Sequence, residues 1–186
     1  MSKFFLSTAT ILFLLFLSAC SSDEQNANDA NAMVSTNEYV LDGLNKEQYV
    51  LIKSENGFYI KGAKEKILML DIFATWCPPC QAEAPHLSSL QEKFKNDLLI
   101  IGVSVEDGIE NVKLLSFAQE YKAEYPMVNS AQNRRLISTV ADQLKLGRNF
   151  GIPLMALYKD GKLINYYQGA TEEEFIQSDI EKALGK

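Results

Sequence analysis

The chain has 186 residues, a hydrophobic fraction of 47%, a charged fraction of 23% and a formal net charge of −6. That is the make-up of one domain with a real core. The acidic balance argues against nucleic-acid binding, and no basic patch with interleaved aromatics occurs. Three cysteines and one histidine leave few ligands for a metal, so neither a metal site nor a cofactor is expected.

The first residues read as an export signal. Lys3 supplies a positive start, and Phe4–Leu17 is mostly apolar. The run is short for a membrane-spanning helix, which needs about 20 apolar residues. It ends Leu17-Ser18-Ala19-Cys20, which resembles the lipobox of bacterial lipoproteins. That resemblance implies a signal peptide over residues 1–19, and Cys20 as a lipidated first residue of the mature chain. The other reading is an ordinary cleaved signal with an unrelated cysteine. Under the lipoprotein reading Cys77 and Cys80 remain as the only pair. Residues 21–38 are rich in Ser, Asn, Asp and Ala, and read as a flexible tether from Cys20. As a random coil this segment spans on the order of 25 Å.

The folded domain is expected over residues 39–186. Tyr49–Lys53 and Phe58–Lys61 flank Asn56-Gly57, a hairpin signal. Ile67–Phe73 is apolar on both alternating faces except at Asp71, the pattern of a strand buried on both sides. A helix follows from about Cys77 to Lys95, with Leu87, Leu90 and Phe94 on one face and Pro85 as a kink. Leu98–Val105 is a second buried strand, and Ile109–Tyr125 reads as a helix. Pro126–Val128 is a short edge strand, and Gln132–Leu146 an amphipathic helix. Pro153–Tyr158 and Lys162–Tyr167 bracket Asp160-Gly161 as a second hairpin. Thr171 and Glu174 form a capping box for a last helix with Phe175, Ile176 and Ile180 inward. The order implies an α/β fold, a mixed central sheet with helices on both faces.

The centre of the chain is Trp76-Cys77-Pro78-Pro79-Cys80. It joins the buried strand to a helix. Proline is tolerated in the first helical turn. Cys77 therefore falls at the helix N-terminus, expected to be exposed, and Cys80 one turn further in and more buried. A helix N-terminus stabilises negative charge, and thiolate is the reactive form of cysteine.

These residues, with Gly151-Ile152-Pro153 placed before the second hairpin, resemble the thioredoxin superfamily, and within it the TlpA/ResA-like thioredoxins of the bacterial envelope. The resemblance covers residue 39 to the C-terminus. It implies a thioredoxin-like fold with an N-terminal β-hairpin and a helical insertion, Gln132–Leu146, before a cis-proline. Carried over, Cys77 is the attacking thiol, Cys80 the resolving thiol, Pro153 the cis-proline, Pro85 the helix-kinking proline and Gly169 a glycine after the last strand. Asp71 falls on the buried carboxylate of thioredoxin, and Glu83 on the glutamate of the envelope reductases. The Pro-Pro between the cysteines departs from the Gly-Pro of thioredoxins.

The implied reaction is thiol–disulfide exchange. Asp71 is the acceptor of the Cys80 proton or a hydrogen-bonded structural residue. Glu83 assists it or faces solvent. Trp76 forms an apolar lip over the site or fills the core. Ile152, held by cis-Pro153, offers backbone groups to an extended substrate; the alternative is a trans proline that starts a strand. His86 reads as a surface or packing residue.

Strong oxidants of the superfamily carry a histidine between the cysteines, which this chain lacks, so a reductant is the first expectation. The partners implied are protein disulfides, apocytochrome c among them, and a transmembrane thiol-transfer donor. The protein is expected as a monomer, held to the membrane by its lipid and facing the periplasm. An envelope disulfide oxidase or isomerase, and a copper-binding chaperone, are the alternatives. No Thr-x-x-Cys nucleophile motif of a peroxidase is present.

Overall fold

The computed structural model of the chain describes residues 37–64, 66–147 and 149–186. The expected signal peptide, the expected lipid attachment site Cys20 and most of the expected tether lie outside the described residues.

The chain runs through β1 (Glu38–Asp42), β2 (Gln48–Lys53), β3 (Phe58–Ile60) and β4 (Ile67–Phe73) into α1 (Pro78–Lys93). Then follow β5 (Leu98–Ser104), α2 (Asn111–Glu120), β6 (Met127–Val128), α3 (Asn133–Gln143), β7 (Leu154–Lys159), β8 (Lys162–Gln168) and α4 (Glu173–Ala183). The central sheet has five strands in the order β6-β5-β4-β7-β8. β4 pairs parallel with β5 and antiparallel with β7, so the sheet is mixed. β4 sits in the middle, and every one of its residues is buried. A strand with no polar face can only be placed there.

Side chains alternate across β4, and the two faces build separate cores. Ile67, Met69 and Phe73 point to the side packed by Ala84, Leu87 and Leu90 of α1, Leu114 and Phe117 of α2, and Ile176 and Ile180 of α4. Leu68, Leu70 and Ile72 point to the side packed by Leu136 and Val140 of α3 and by the small β1-β2-β3 sheet. The expected N-terminal hairpin is β2-β3, but it has a third strand. β1 pairs antiparallel with β2, and its alternate residues Tyr39 and Leu41 are buried. Phe58 connects the small sheet to the large one. Its ring meets Tyr39 at 5.7 Å and Tyr158 of β7 at 5.5 Å, both edge to face.

The second hairpin turns at Asp160 and Gly161, both with positive φ, the two-residue geometry that matches strand twist. α2 is shorter than its expected span, ending at Glu120 with Tyr121 as its C-cap and Lys122 at φ 54. Two details of the last helix differ from the expectation. Thr171 does not cap it: Glu172 is the N-cap with no side-chain bond, and the Thr171 hydroxyl donates to the Gly169 carbonyl. Phe175 is 66% exposed, while Ile176 and Ile180 are buried. The four-residue spacing of the two isoleucines sets the inward stripe, and Phe175 lies off it.

Phe58→Ala leaves a void between two rings and unties the two sheets. It should lower unfolding stability by about 3–5 kcal/mol, read as a shifted urea midpoint.

Candidate active site

The end of β4 delivers the chain to the sharp turn Ala74–Cys77. Cys77 is the N-cap of α1, with φ −90 and ψ 108. The next two residues are prolines and carry no N–H. The first amide the helix has to offer is that of Cys80, and it donates to Cys77 Sγ at 3.3 Å. The two cysteines form a disulfide, with Cα atoms 5.3 Å apart. Cys77 Sγ lies 3.7 Å from the Ile152 carbonyl oxygen. The Ile152–Pro153 peptide bond is cis. The Pro153 carbonyl in turn accepts from Gly169 N at 2.8 Å. A loop from far along the sequence is thus folded against the sulfurs.

One expectation is reversed here. Cys77 is not exposed in this oxidised state; both cysteines are only 3% exposed. The cis-proline loop and the turn of α1 close over Cys77 Sγ, and the exposed groups at the site are Pro78, Pro79 and Trp76, the last 66% exposed.

The turn is braced by residues that sequence reasoning did not single out. Glu106, two residues beyond β5, accepts from Thr75 N at 2.7 Å and from Thr75 Oγ1 at 3.1 Å. Gln81 Nε2 donates to the Thr75 carbonyl at 2.8 Å. All the polar groups of Thr75 are therefore held, one residue before Trp76. The only signal in the sequence was an acidic pair, Glu106-Asp107, just past a buried strand.

Two carboxylates are buried behind the disulfide. Asp71 is 2% exposed. It shares a face of β4 with Met69 and Phe73, which pack in the same core as Cys77 and Cys80. Its Oδ2 accepts from the Tyr125 hydroxyl at 2.8 Å, and its Oδ1 has no hydrogen-bond partner among the described residues. Burial pushes the Asp71 carboxyl up to about 7; the Tyr125 bond opposes this and the nearby Glu83 charge adds to it. Glu83, one turn beyond Cys80, is 1% exposed. Its Oε2 accepts from Thr171 N at 3.0 Å, and its Oε1 is likewise unpaired among the described residues. Burial raises its carboxyl too, against the Thr171 amide. That amide bond, made across the fold, is what displaces the capping box at Thr171. His86 stands at the helix surface. Among the described residues no cluster of three His, Cys, Asp or Glu is placed to hold a metal ion, and no helix is long and apolar enough to cross a membrane.

A mixed sheet between helices, a Cys-x-x-Cys disulfide at a helix N-terminus and a cis-proline against it define a thioredoxin-fold protein. Residues 52–150 match the AhpC/TSA family, and the chain belongs to that family within the thioredoxin superfamily. It is 26% identical over 120 residues to Thioredoxin Y2, chloroplastic, of Arabidopsis thaliana, covering 64% of this chain and 53% of that one. It is 25% identical over 123 residues to the thiol-disulfide oxidoreductase ResA of Bacillus thuringiensis, covering 66% of each. The chain thus spans between about half and two thirds of these relatives' length. A crystal structure of a thiol:disulfide interchange protein of the thioredoxin family from Chlorobium tepidum superposes with a TM-score of 0.63 at 18% identity, over 80% of this chain and 94% of that one. A likeness that distant shows the fold.

The buried carboxylate makes stability depend on pH. The Asp71 carboxyl ionises near 3.8 ordinarily and about 7 in the fold, so between those values the native state holds more protons than the unfolded one. Stability should fall as pH rises from about 4 to about 7 and then level off. Asp71→Asn should remove much of that slope, Glu83 leaving a remainder of the same sign. Above pH 7 the variant should be the more stable by at most about 4 kcal/mol, as measured by urea unfolding at pH 5 and pH 8.5.

Proposed function

We propose that the protein is a thiol–disulfide oxidoreductase that cycles through Cys77 and Cys80 and reduces disulfides in exported proteins. The observation that carries this reading is the Cys77–Cys80 disulfide capped by the Cys80 amide and pressed against cis-Pro153. The similarity to ResA and to thioredoxins supports it.

In the reducing direction the Cys77 thiolate attacks a substrate disulfide. One substrate sulfur leaves with the electron pair and the other stays bonded to Cys77. Cys80 then gives its proton to Asp71 and attacks Cys77 Sγ. The Cys77–substrate bond breaks, the second substrate thiol is freed, and the protein holds the disulfide seen here. Asp71 suits the proton transfer because its burial keeps its affinity for protons near neutrality. Glu83 is a second proton site on the same helix as Cys80 and tunes Asp71 by its charge. Ile152 and Trp76 meet the substrate chain beside Cys77, the first through its backbone and the second as an apolar wall.

The Pro-Pro pair bears on direction. Neither residue between the cysteines can donate an N–H to a Cys77 thiolate, which leaves the Cys80 amide alone in that role. A thiolate with few donors is a costlier form, which favours the disulfide and makes the dithiol a better reductant. Reduction of apocytochrome c disulfides during cytochrome c maturation is one use of such a protein. Its electrons would come from a transmembrane thiol-transfer protein. Attachment through lipidated Cys20, with the domain facing the periplasm, places it at such a donor.

Reduced protein should reduce insulin disulfides, and Cys77→Ser should lower the rate to the uncatalysed level, while Cys80→Ser should accumulate a mixed disulfide visible on a non-reducing gel. Equilibration with glutathione should place the pair near the value of thioredoxin, about −270 mV. A value near about −120 mV would reassign it as an oxidase. Cys20→Ser should move the protein from the detergent phase to the aqueous phase in a detergent partition.

A further inference from the structure

Tyr125 has no part in the exchange as described so far, yet it is the only side chain that donates to the buried Asp71 carboxylate among the described residues. It comes from the segment between α2 and β6, 54 residues away in sequence. Its path to Asp71 is specifically open. Asp71 is paired in register with Gly102 on the neighbouring strand β5. A Cβ at Gly102 would lie 3.2 Å from Tyr125 Cε2, 3.2 Å from Phe73 Cε1 and 3.1 Å from Met127 Cγ. Each separation is tighter than ordinary van der Waals contact. The missing side chain of Gly102 is the space into which the Tyr125 ring packs on its way to Asp71. A strand interior otherwise disfavours glycine, and close approach of another group is the usual reason for one.

We infer that Tyr125 is a positioning residue of the exchange site: seated against Gly102, its hydroxyl fixes the Asp71 carboxylate through Oδ2 and leaves Oδ1 as the oxygen that takes the Cys80 proton. The inference rests on the reading of Asp71 as that acceptor. The unpaired state of Oδ1 in the oxidised protein fits it, because a disulfide-bonded Cys80 has no proton to give. A tyrosine suits this post better than a cationic partner. It stays neutral, its own ionisation driven well up by burial beside Asp71. It therefore stabilises the carboxylate enough to be ionised when the proton arrives without holding it so low that it could not accept. Among the described residues, the titratable groups that act on Asp71 are Tyr125 from the α2–β6 segment and Glu83 from α1; Met69 and Phe73, its neighbours on the same face of β4, pack in the core that also holds Cys77 and Cys80.

The step balances as follows. In the mixed disulfide, the Cys80 proton passes to Asp71 Oδ1. The Cys80 sulfur forms a bond to Cys77 Sγ, the Cys77–substrate bond breaks, and its electron pair leaves on the substrate sulfur, which takes a proton from solvent. The cysteine pair is oxidised by two electrons and the substrate disulfide is reduced by two.

The test is a stopped-flow reaction of the reduced protein with an aromatic disulfide that releases a coloured thiol at each step. All samples carry Cys20→Ser, so that only the site cysteines report. The first phase reads attack by Cys77 and the second reads resolution by Cys80. Tyr125→Phe keeps the ring and removes only the hydroxyl. It should raise the pH midpoint of the second phase by about one unit, leaving the high-pH plateau and the first phase unchanged. Gly102→Ala, which pushes the ring from its seat, should move the second phase in the same direction. Asp71→Asn should abolish the midpoint, and adding Tyr125→Phe to it should change nothing further. A second-phase midpoint unmoved in Tyr125→Phe but lost in Asp71→Asn overturns the inference and keeps Asp71 as the acceptor. A midpoint unmoved in Asp71→Asn overturns the Asp71 reading itself. An equal shift in the Asp71→Asn background would mean that the hydroxyl acts elsewhere, and also overturns the inference.

Discussion

A carboxylate placed in the most buried strand of the molecule is the constraint around which the site is arranged. β4 has no polar face, and Asp71 is its one titratable residue. In such surroundings the charged form is disfavoured by several kcal/mol unless something compensates. The fold compensates only in part. One oxygen is bonded by Tyr125, the other is left open, and a second buried carboxylate on α1 adds repulsion. A group held in that balance changes charge near neutrality, where an ordinary aspartate would not. Packing that served stability alone would place an apolar side chain there, as at every other position of the strand.

The sulfurs are positioned by a different set of interactions, of longer range in sequence and shorter in space. Glu106 and Gln81 take up every polar group of Thr75, and the carbonyl of Ile152 abuts Cys77. The turn that presents Cys77 is therefore fixed from β5, from α1 and from the β7 side at once. Glu83 adds a fourth tie, reaching from α1 to the amide of Thr171 ahead of α4. The buried carboxylate of Glu83 and the cysteine pair share α1, so a displacement of that helix is felt at both.

How much of this could be read from the sequence follows the distance over which each signal acts. The two hairpins were legible because Asn56-Gly57 and Asp160-Gly161 are local turn chemistry. β4 was legible because a run apolar on both faces but for Asp71 admits one position in a sheet. The cysteine pair and the proline loop were legible through a known pattern of residues. β1 was hidden because Glu38–Asp42 is short and continues a polar segment, and only its pairing with β2 defines it. The capping box at Thr171 failed because a local rule lost to a carboxylate 88 residues away. Phe175 was misplaced by one position on an otherwise correct helical stripe. Tyr125 gave no local signal and Glu106 only that of an acidic pair past a strand, since their roles depend on partners 54 and 31 residues distant.

The near-complete shelter of the cysteine pair carries a consequence for traffic through the site. With 3% of each cysteine open to solvent in the disulfide form, little sulfur surface is on offer to a rigid, rounded neighbour. Under the proposed exchange chemistry, a thiol carried on a slim or pliable stretch of backbone has the easier approach past Trp76 and the proline loop. Deformability of the visitor then joins chemistry in setting how fast the pair is reached.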